Sequence, residues 1–423
     1  MKNLHQSRNQ HSRTLQRRSF VAFLSVTVLL GVAGCGGSSN TAKTKQPFTP
    51  SGEVVVDTSY SEADDFDAVS GLAPVGKEMF NNCAGNSMTN HGYINRKGKL
   101  VIGFKFANAD KFDPITKLAA ASVISCSDGR EKWGFINKSG NFVIKPEYDG
   151  VLDFSAGLAQ VCKQLGPIEA QVQRCGYINT KGKLVIKLQF DGGCSFTLPA
   201  KLACDPLPGK NSGNKHGYIN MKGQFVIKPQ FAIANHFSAN GLAPVAISVG
   251  NSDSMKYGYI NTKGQFVIKP IYDDADAFDV RSGLAAVKQG GSYGYINAKG
   301  KIVIQPQFDA AYKFDSATGL ARVNIGGSMN CVEQCGQYGY IDRTGNYVIQ
   351  PSFDYAEDFN ATGTAVVGMN SMTDSDGNPV TQYGYIGIDG NYLLQPTYDS
   401  AFAFDPKTHL ARVYSNGTYS YID

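Results

Sequence analysis

The chain has 423 residues, 42% hydrophobic and 18% charged, so it can build a core and does not have the composition of a disordered polymer. Its formal charge of +5 resides in residues 1–35, where Lys2, Arg8, Arg13, Arg17 and Arg18 face no Asp or Glu. The remainder carries 35 basic and 35 acidic side chains and is neutral in sum, which removes the usual electrostatic footprint of a nucleic-acid binder.

Residues 1–19 are polar and basic, and residues 20–33 (FVAFLSVTVLLGVA) are apolar. Fourteen residues rise about 21 Å as a helix, short of the roughly 30 Å hydrocarbon core. Basic, then apolar, then small is the order of an export signal, which is assigned to residues 1–34. Val32-Ala33-Gly34-Cys35 resembles the lipobox of bacterial lipoproteins. That resemblance implies cleavage before Cys35, lipidation of Cys35, and a lipid anchor holding the protein to a membrane of the cell envelope. Gly36 is not the Asp that resembles an inner-membrane retention signal, so the outer membrane is expected, facing the periplasm or the cell surface. Gln16-Arg17-Arg18-Ser19-Phe20 resembles a twin-arginine export motif, with a basic leader of the general pathway the favoured reading. Residues 35–52 lack apolar periodicity and read as a lipidated flexible tether.

Residues 53–423 repeat one pattern: G-[YF]-I-x-x-x-G-x-x-[VL]-[IL]-x-x-x-[FY], an aromatic about six residues later, then [LA]-A-x-V. The first glycine recurs at Gly92, Gly134, Gly176, Gly217, Gly258, Gly294, Gly339 and Gly384. Such periods mark stacked supersecondary units. Each unit reads as three short strands: A (Leu-Ala-x-Val, as in Leu242 to Val245), B (Gly-Tyr-Ile) and C (x-Val-Ile). B and C are joined by turns such as Asn261-Thr262-Lys263-Gly264, whose closing glycine suits a positive φ. Proline follows strand C in six copies, as at Pro270, and is expected to end the strand. The next segment, such as Tyr272 to Phe278, is expected to form a turn whose aromatics plug the gap between units.

These residues resemble the WG repeat family of bacterial proteins. The naming dipeptide stands once, at Trp133-Gly134; elsewhere the first position holds His91, Cys175, His216, Tyr257, Tyr293, Tyr338 and Tyr383. The resemblance implies a β-rich interaction scaffold with no defined active site.

The ends of the array complement each other. Residues 53–66 match strand C plus the aromatic segment, and residues 410–423 match A and B with no C. Eight full units plus this composite make nine. The expected fold is therefore all-β: a repeat of three-stranded antiparallel units in a closed, propeller-like ring, with an open β-solenoid as the alternative. The tyrosines of Gly-Tyr-Ile are expected in the core between units.

Eight cysteines besides Cys35 suit disulfides in an exported chain. The repeat pairs Cys162 with Cys175 across one A–B hairpin, places Cys331 and Cys335 in the equivalent loop, and sets Cys194 and Cys204 around a C-to-A connection. Cys83 and Cys126 remain as a pair from adjacent units. No C-x-x-C or H-E-x-x-H motif supports a metal site, and no cofactor motif is present. Gly290-Gly291-Ser292-Tyr293-Gly294 matches G-x-S-x-G but falls in an A–B hairpin, where a strand-to-helix elbow has no place. Acidic clusters at Asp64-Asp65, Asp273-Asp274-Asp276 and Glu357-Asp358 read as turn caps.

The expected function is a non-catalytic, lipid-anchored binding or assembly scaffold. Its contact surface would be the variable A–B loops (162–175, 246–257, 324–338, 368–383), and its partner an envelope protein. The alternative is a carbohydrate-binding or sugar-processing surface lipoprotein that uses exposed tyrosines. No nucleic-acid partner is expected.

Overall fold

A computed structural model describes residues 48–58, 60–81, 86–166, 172–206, 215–250, 254–327, 335–373 and 379–423. These residues form strands and turns, arranged as nine small antiparallel sheets. Blade 6 shows the plan. A two-residue inner strand, Asp274–Ala275, pairs with strand A, Leu284–Gln289. Strand A pairs with strand B, Ser292–Asn297, and B with strand C, Ile302–Phe308. The blades are thus four-stranded, where the sequence suggested three. The segment expected to be a turn after strand C supplies the inner strand of the next blade. Two residues are too short for an alternating pattern to register. Blade 4 keeps three strands, Leu202–Pro206, His216–Asn220 and Phe225–Phe231. There the inner segment is held by the Cys194–Cys204 disulfide and by the Cys194 N–H donating to the Cys204 carbonyl at 3.0 Å.

The ring closes as the complementary ends suggest. Strand Val54–Asp57 pairs with Thr418–Ile422, with Val54 opposite Ile422 and Asp57 opposite Ser420, so blade 9 is made from both ends of the repeat array. The Gly52 N–H donates to the Asp423 carbonyl at 2.8 Å, and the Thr58 hydroxyl to the Tyr419 carbonyl at 2.7 Å. Packing starts ahead of this strand: Phe48 lies 5.1 Å from Phe404 and 4.6 Å from His409, ring centre to ring centre.

Strand C does not stop at its proline. In blade 5 it runs Phe266–Tyr272 straight through Pro270. It is the edge strand of its blade, where a missing N–H is tolerated. It also bulges: Tyr257 faces Tyr272 and Tyr259 faces Ile268, so four residue steps on C match two on B. The bulge carries the C backbone across the glycine of strand B. A Cβ on Gly258 would lie 2.6 Å from the Ile268 carbonyl oxygen and 2.7 Å from the Pro270 nitrogen. At Gly134 the corresponding distance to the Ile144 oxygen is 2.3 Å. The recurring first glycine is therefore a close-approach residue. The turn glycines behave as expected: Gly264 has φ +80°, and Asn261 Oδ1 accepts the N–H groups of Lys263 and Gln265 at 3.0 and 3.1 Å.

The tyrosine stripe is core. Tyr93, Tyr177, Tyr218, Tyr259, Tyr295, Tyr340, Tyr385 and Tyr421 are fully buried, with Phe135 in the ninth place. Each ring meets a phenylalanine of the next blade's inner segment at 4.6–5.2 Å, as Tyr259 meets Phe278 and, across the junction of the chain ends, Tyr421 meets Phe66. Each hydroxyl also crosses the boundary. Tyr259 Oη donates to the Asp276 carbonyl at 2.7 Å, Tyr93 to Asp110 at 2.8 Å and Tyr385 to Phe402 at 2.9 Å. Burial pushes these phenols far above their ordinary pKa.

Three substitutions test this account. Gly258→Ala should cost about 2–4 kcal/mol, because backbone must move. Gly103→Ala, with nothing within 4 Å and no positive φ, should stay within about 0.5 kcal/mol of wild type. Tyr259→Phe should cost about 1–2 kcal/mol by leaving the Asp276 carbonyl unpaired. Urea unfolding midpoints measure all three.

Candidate functional site

The inner segments carry the site. Just before its phenylalanine, each segment delivers two residues to the middle of the ring: Asp64-Asp65 before Phe66, Asp110-Lys111 before Phe112, Asp276-Ala277 before Phe278, Glu357-Asp358 before Phe359. The Tyr hydroxyls fix them there, since the accepting carbonyls belong to these residues. A cavity of about 480 Å³ opens where five successive blades converge; its walls include Asn360, Lys407, Asp65, Lys111 and Asp153.

Its electrostatics are mixed, with acid in excess. Lys111 Nζ lies 3.3 Å from Asp64 Oδ1 and 3.0 Å from Asp65 Oδ2. Burial opposes its charge, but the two carboxylates outweigh burial and hold Lys111 above its ordinary pKa. Asp110 is pushed up to about 6 by burial, reinforced by Asp153 and Asp64 and partly offset by His91. Burial, then Asp113, raises Asp153. On the far side burial raises Asp276, Glu357 and Asp358, the last against the pull of Arg322 and Lys313.

Two arginines bolt neighbouring blades beside this axis. Arg322 of blade 7 stacks on Tyr312 at 3.7 Å, sets Nε 3.2 Å from Asp358 and donates to the Ala356 carbonyl of blade 8. Arg412 of blade 9 stacks on Phe402 at 3.7 Å, reaches Asp64 and Asp65 at 3.5 and 3.6 Å and donates to the Ala63 carbonyl of blade 1. Sequence reasoning passed over both. The available signal was a charged residue inside an otherwise apolar strand A, in Leu320-Ala321-Arg322-Val323 and Leu410-Ala411-Arg412-Val413.

The acidic clusters do more than cap turns, although Asp273 accepts the backbone N–H of Gly290 in the A–B hairpin turn and Asp274 that of Ala275 at 2.9 Å. Asp64, Asp65 and Asp358 pair with the cations just described. Asp273 pairs with Lys256, Asp274 accepts the Tyr293 hydroxyl at 2.7 Å, and Glu357 accepts that of Tyr355 at 3.1 Å. The caps between inner strand and strand A come from other residues, as where Asp279 Oδ1 accepts the Ser282 N–H at 2.6 Å.

The cysteine pairs Cys162–Cys175 and Cys194–Cys204 are bonded as expected. Cys126 is disulfide-bonded too. Cys83, Cys331 and Cys35 lie outside the described residues; Cys335 opens its strand opposite Gly327. The sulfurs of Cys194 and Cys204 come within 4.8 Å of a His236 ring nitrogen. Bonded to each other, they offer no thiolate to a metal. His91 is engaged in packing, with Nδ1 2.8 Å from the Ala107 carbonyl and Nε2 2.9 Å from Glu62. Ser292 begins a strand after the Gly290–Gly291 hairpin turn, so no strand-to-helix elbow forms around it.

Asp110 gives the axis a pH signature. In the fold it keeps its proton to about pH 6, whereas an unfolded Asp releases it near 3.9. The ionised group therefore opposes folding above pH 6, and that opposition fades as pH falls toward about 4. Asp110→Asn should raise the melting temperature at about pH 8 and lose its advantage by about pH 4. A pH-independent difference between the two proteins contradicts this.

No curated protein matches the chain. Among solved structures, that of a eukaryotic initiation factor has a TM-score of 0.52 at 12% identity, over 81% of this chain and 89% of that one. The β-propeller domain of the trilobed protease from Pyrococcus furiosus, with an open velcro topology, has a TM-score of 0.36 at 8% identity, over 70% of this chain and 99% of that one. An acylaminoacyl peptidase of Pyrococcus horikoshii has 0.40 at 10% identity, over 84% and 56%. At such identities the first likeness concerns the fold alone, and the other two are too distant to carry an argument. The WG containing repeat pattern matches residues 92–113, 133–164, 176–193, 217–247, 257–293, 293–328, 338–371 and 383–419. Each match opens at the strand B glycine or the residue before it, where strand C crosses over. These segments make up more than half of the sequence, and the chain belongs to the WG containing repeat family.

Proposed function

We propose that this propeller is a lipid-anchored, non-catalytic binding or assembly scaffold of the cell envelope, held through Cys35. One observation carries the reading: the two faces of the ring differ. Because the four strands alternate in direction, the A–B hairpins share one face, and the turns before strand A and between B and C share the other. The segments read in sequence as A–B loops are largely strand. Blade 1 extends its hairpin through Leu72–Asn81 and Asn86–Asn95, and blade 8 through Thr364–Thr373 and Pro379–Gly387. Blade 6 closes instead with a two-residue turn. Unequal arms on one face suit recognition, since a common frame carries variable contacts. Residues 48–52 join the ring at the face opposite the hairpins, against the His409 turn. The disulfides support an oxidising compartment.

The glycan alternative loses its first candidates, because the Gly-Tyr-Ile tyrosines are buried and hydrogen-bonded within the core. We expect acyl labelling and membrane fractionation of the wild-type protein, and release of Cys35→Ser into the soluble fraction. We also expect an envelope-protein crosslink that disappears when the blade 8 hairpin is cut back to a two-residue turn, with the melting temperature kept. Crosslinking that survives this change removes the hairpin face from the proposal.

A further inference from the structure

The neutral total charge of residues 36–423 conceals a segregation that only the fold displays. On the hairpin face, four basic residues are neutralised locally. Lys132 pairs with Asp149, Arg174 with Asp191 and Lys256 with Asp273, each across the same B-to-C step, and Lys163 meets Glu147 at 3.2 Å. On the opposite face the B–C turns of seven consecutive blades each present an exposed cation: Lys97, Lys138, Lys181, Lys222, Lys263, Lys299 and Arg343. No carboxylate of the described residues is within ion-pair distance of any of them. The turns form a continuous arc, because each turn glycine rests on the previous blade. A Cβ on Gly264 would lie 2.9 Å from Ile227, and one on Gly223 2.6 Å from Ile186. Lys138 Nζ reaches the Val69 carbonyl at 3.2 Å, which confirms that the turns before strand A share this face. Those turns bring Ile115, Val280 and Leu198 to the surface, 83%, 71% and 57% exposed. Phe48, the first described residue, packs at the same face, on the turn that ends at His409.

We propose that this face is a docking surface for an anionic lipid bilayer, with the lysine arc against the headgroups and Ile115, Leu198 and Val280 in the interfacial layer. The unpaired turn cations favour an anionic partner, although the turns before strand A carry the capping carboxylates of Asp113, Asp279, Asp315 and Asp405 on the same face. The protruding apolar side chains select a bilayer over a soluble polyanion. The place where the chain joins the ring selects this face over the other. The surface deepens the anchored-scaffold reading by fixing which side of the disc lies on the membrane. It does not need the acyl chain for its test.

Residues 48–423 contain all nine blades and the strand that closes the ring, so the propeller is tested as that piece. Its binding is measured by cosedimentation with vesicles of phosphatidylcholine alone and of phosphatidylcholine containing phosphatidylglycerol, at low and high salt. We expect binding to the anionic vesicles only and loss of binding at high salt, since the Debye length shortens to about 3 Å at 1 M. Reversing four cations, Lys138→Glu, Lys181→Glu, Lys222→Glu and Lys263→Glu, should weaken binding by at least about 100-fold, given about 1 kcal/mol per basic residue at the surface. The triple change Ile115→Ser, Leu198→Ser, Val280→Ser should weaken it by about 10-fold or more. Thermal melts confirm that both variants remain folded. Equal binding to neutral vesicles, or binding unaffected by the charge reversal, overturns the proposal. So does a propeller that ignores the vesicles and binds a DNA duplex in the same buffer. A soluble Cys35→Ser protein with an intact vesicle response, or an acylated protein without one, separates the anchor from the docking face.

Discussion

A phenol hydroxyl that crosses from one blade to the next is the interaction on which this structure turns. Burying the hydroxyl unpaired would be costly, and so would burying the carbonyl it meets. Pairing them removes both penalties and fixes the distance between blades. The phenylalanine two residues beyond that carbonyl then completes a ring contact of about 5 Å, as between Tyr259 and Phe278. Repeated around the ring, the pair does the work that one large core does in a globular domain. Each blade is too small to bury its apolar face alone, and each becomes stable only between two neighbours.

The same bond decides where the charges go. Because the acceptors lie in the inner segments, the residues beside them are drawn to the axis whatever their chemistry. Asp65, Asp110, Asp276 and Asp358 become a crowded acidic group, moderated by Lys111, Arg322 and Arg412. Turn residues are placed by the complementary rule. They sit on alternating faces according to strand direction, so the B–C lysines gather on one side and the lysine–aspartate pairs on the other. A composition neutral in sum is in this way distributed as two unlike surfaces and a third, axial environment.

Much of this was legible in the sequence and some was not, for identifiable reasons. The Asn-x-x-Gly turns were readable because the left-handed conformation at Gly264 has a steric signature. The closing of the ring was readable because residues 53–66 and 410–423 hold complementary fragments of one unit. The inner strand escaped notice because two residues such as Asp274-Ala275 carry no periodicity. Pro270 misled because the rule against proline in a strand assumes a ladder on both sides, and strand C has one. The role of Gly258 depends on a bulge in another strand, which no local pattern announces. The polarity of the two faces is a property of strand direction, so it disappears from any sum over the chain.

The shared ninth blade has a bearing on the order of assembly. Hairpins A and B form from neighbouring residues and can mature early, whereas Val54–Asp57 must wait for a partner some 360 positions downstream. Through that interval an unsatisfied strand edge stays open to any passing backbone. Short length, the acidic Asp57 and a neighbouring Gly52 make it a poor template for strangers. The molecule thus leaves the closing of its ring to the last event in its own assembly.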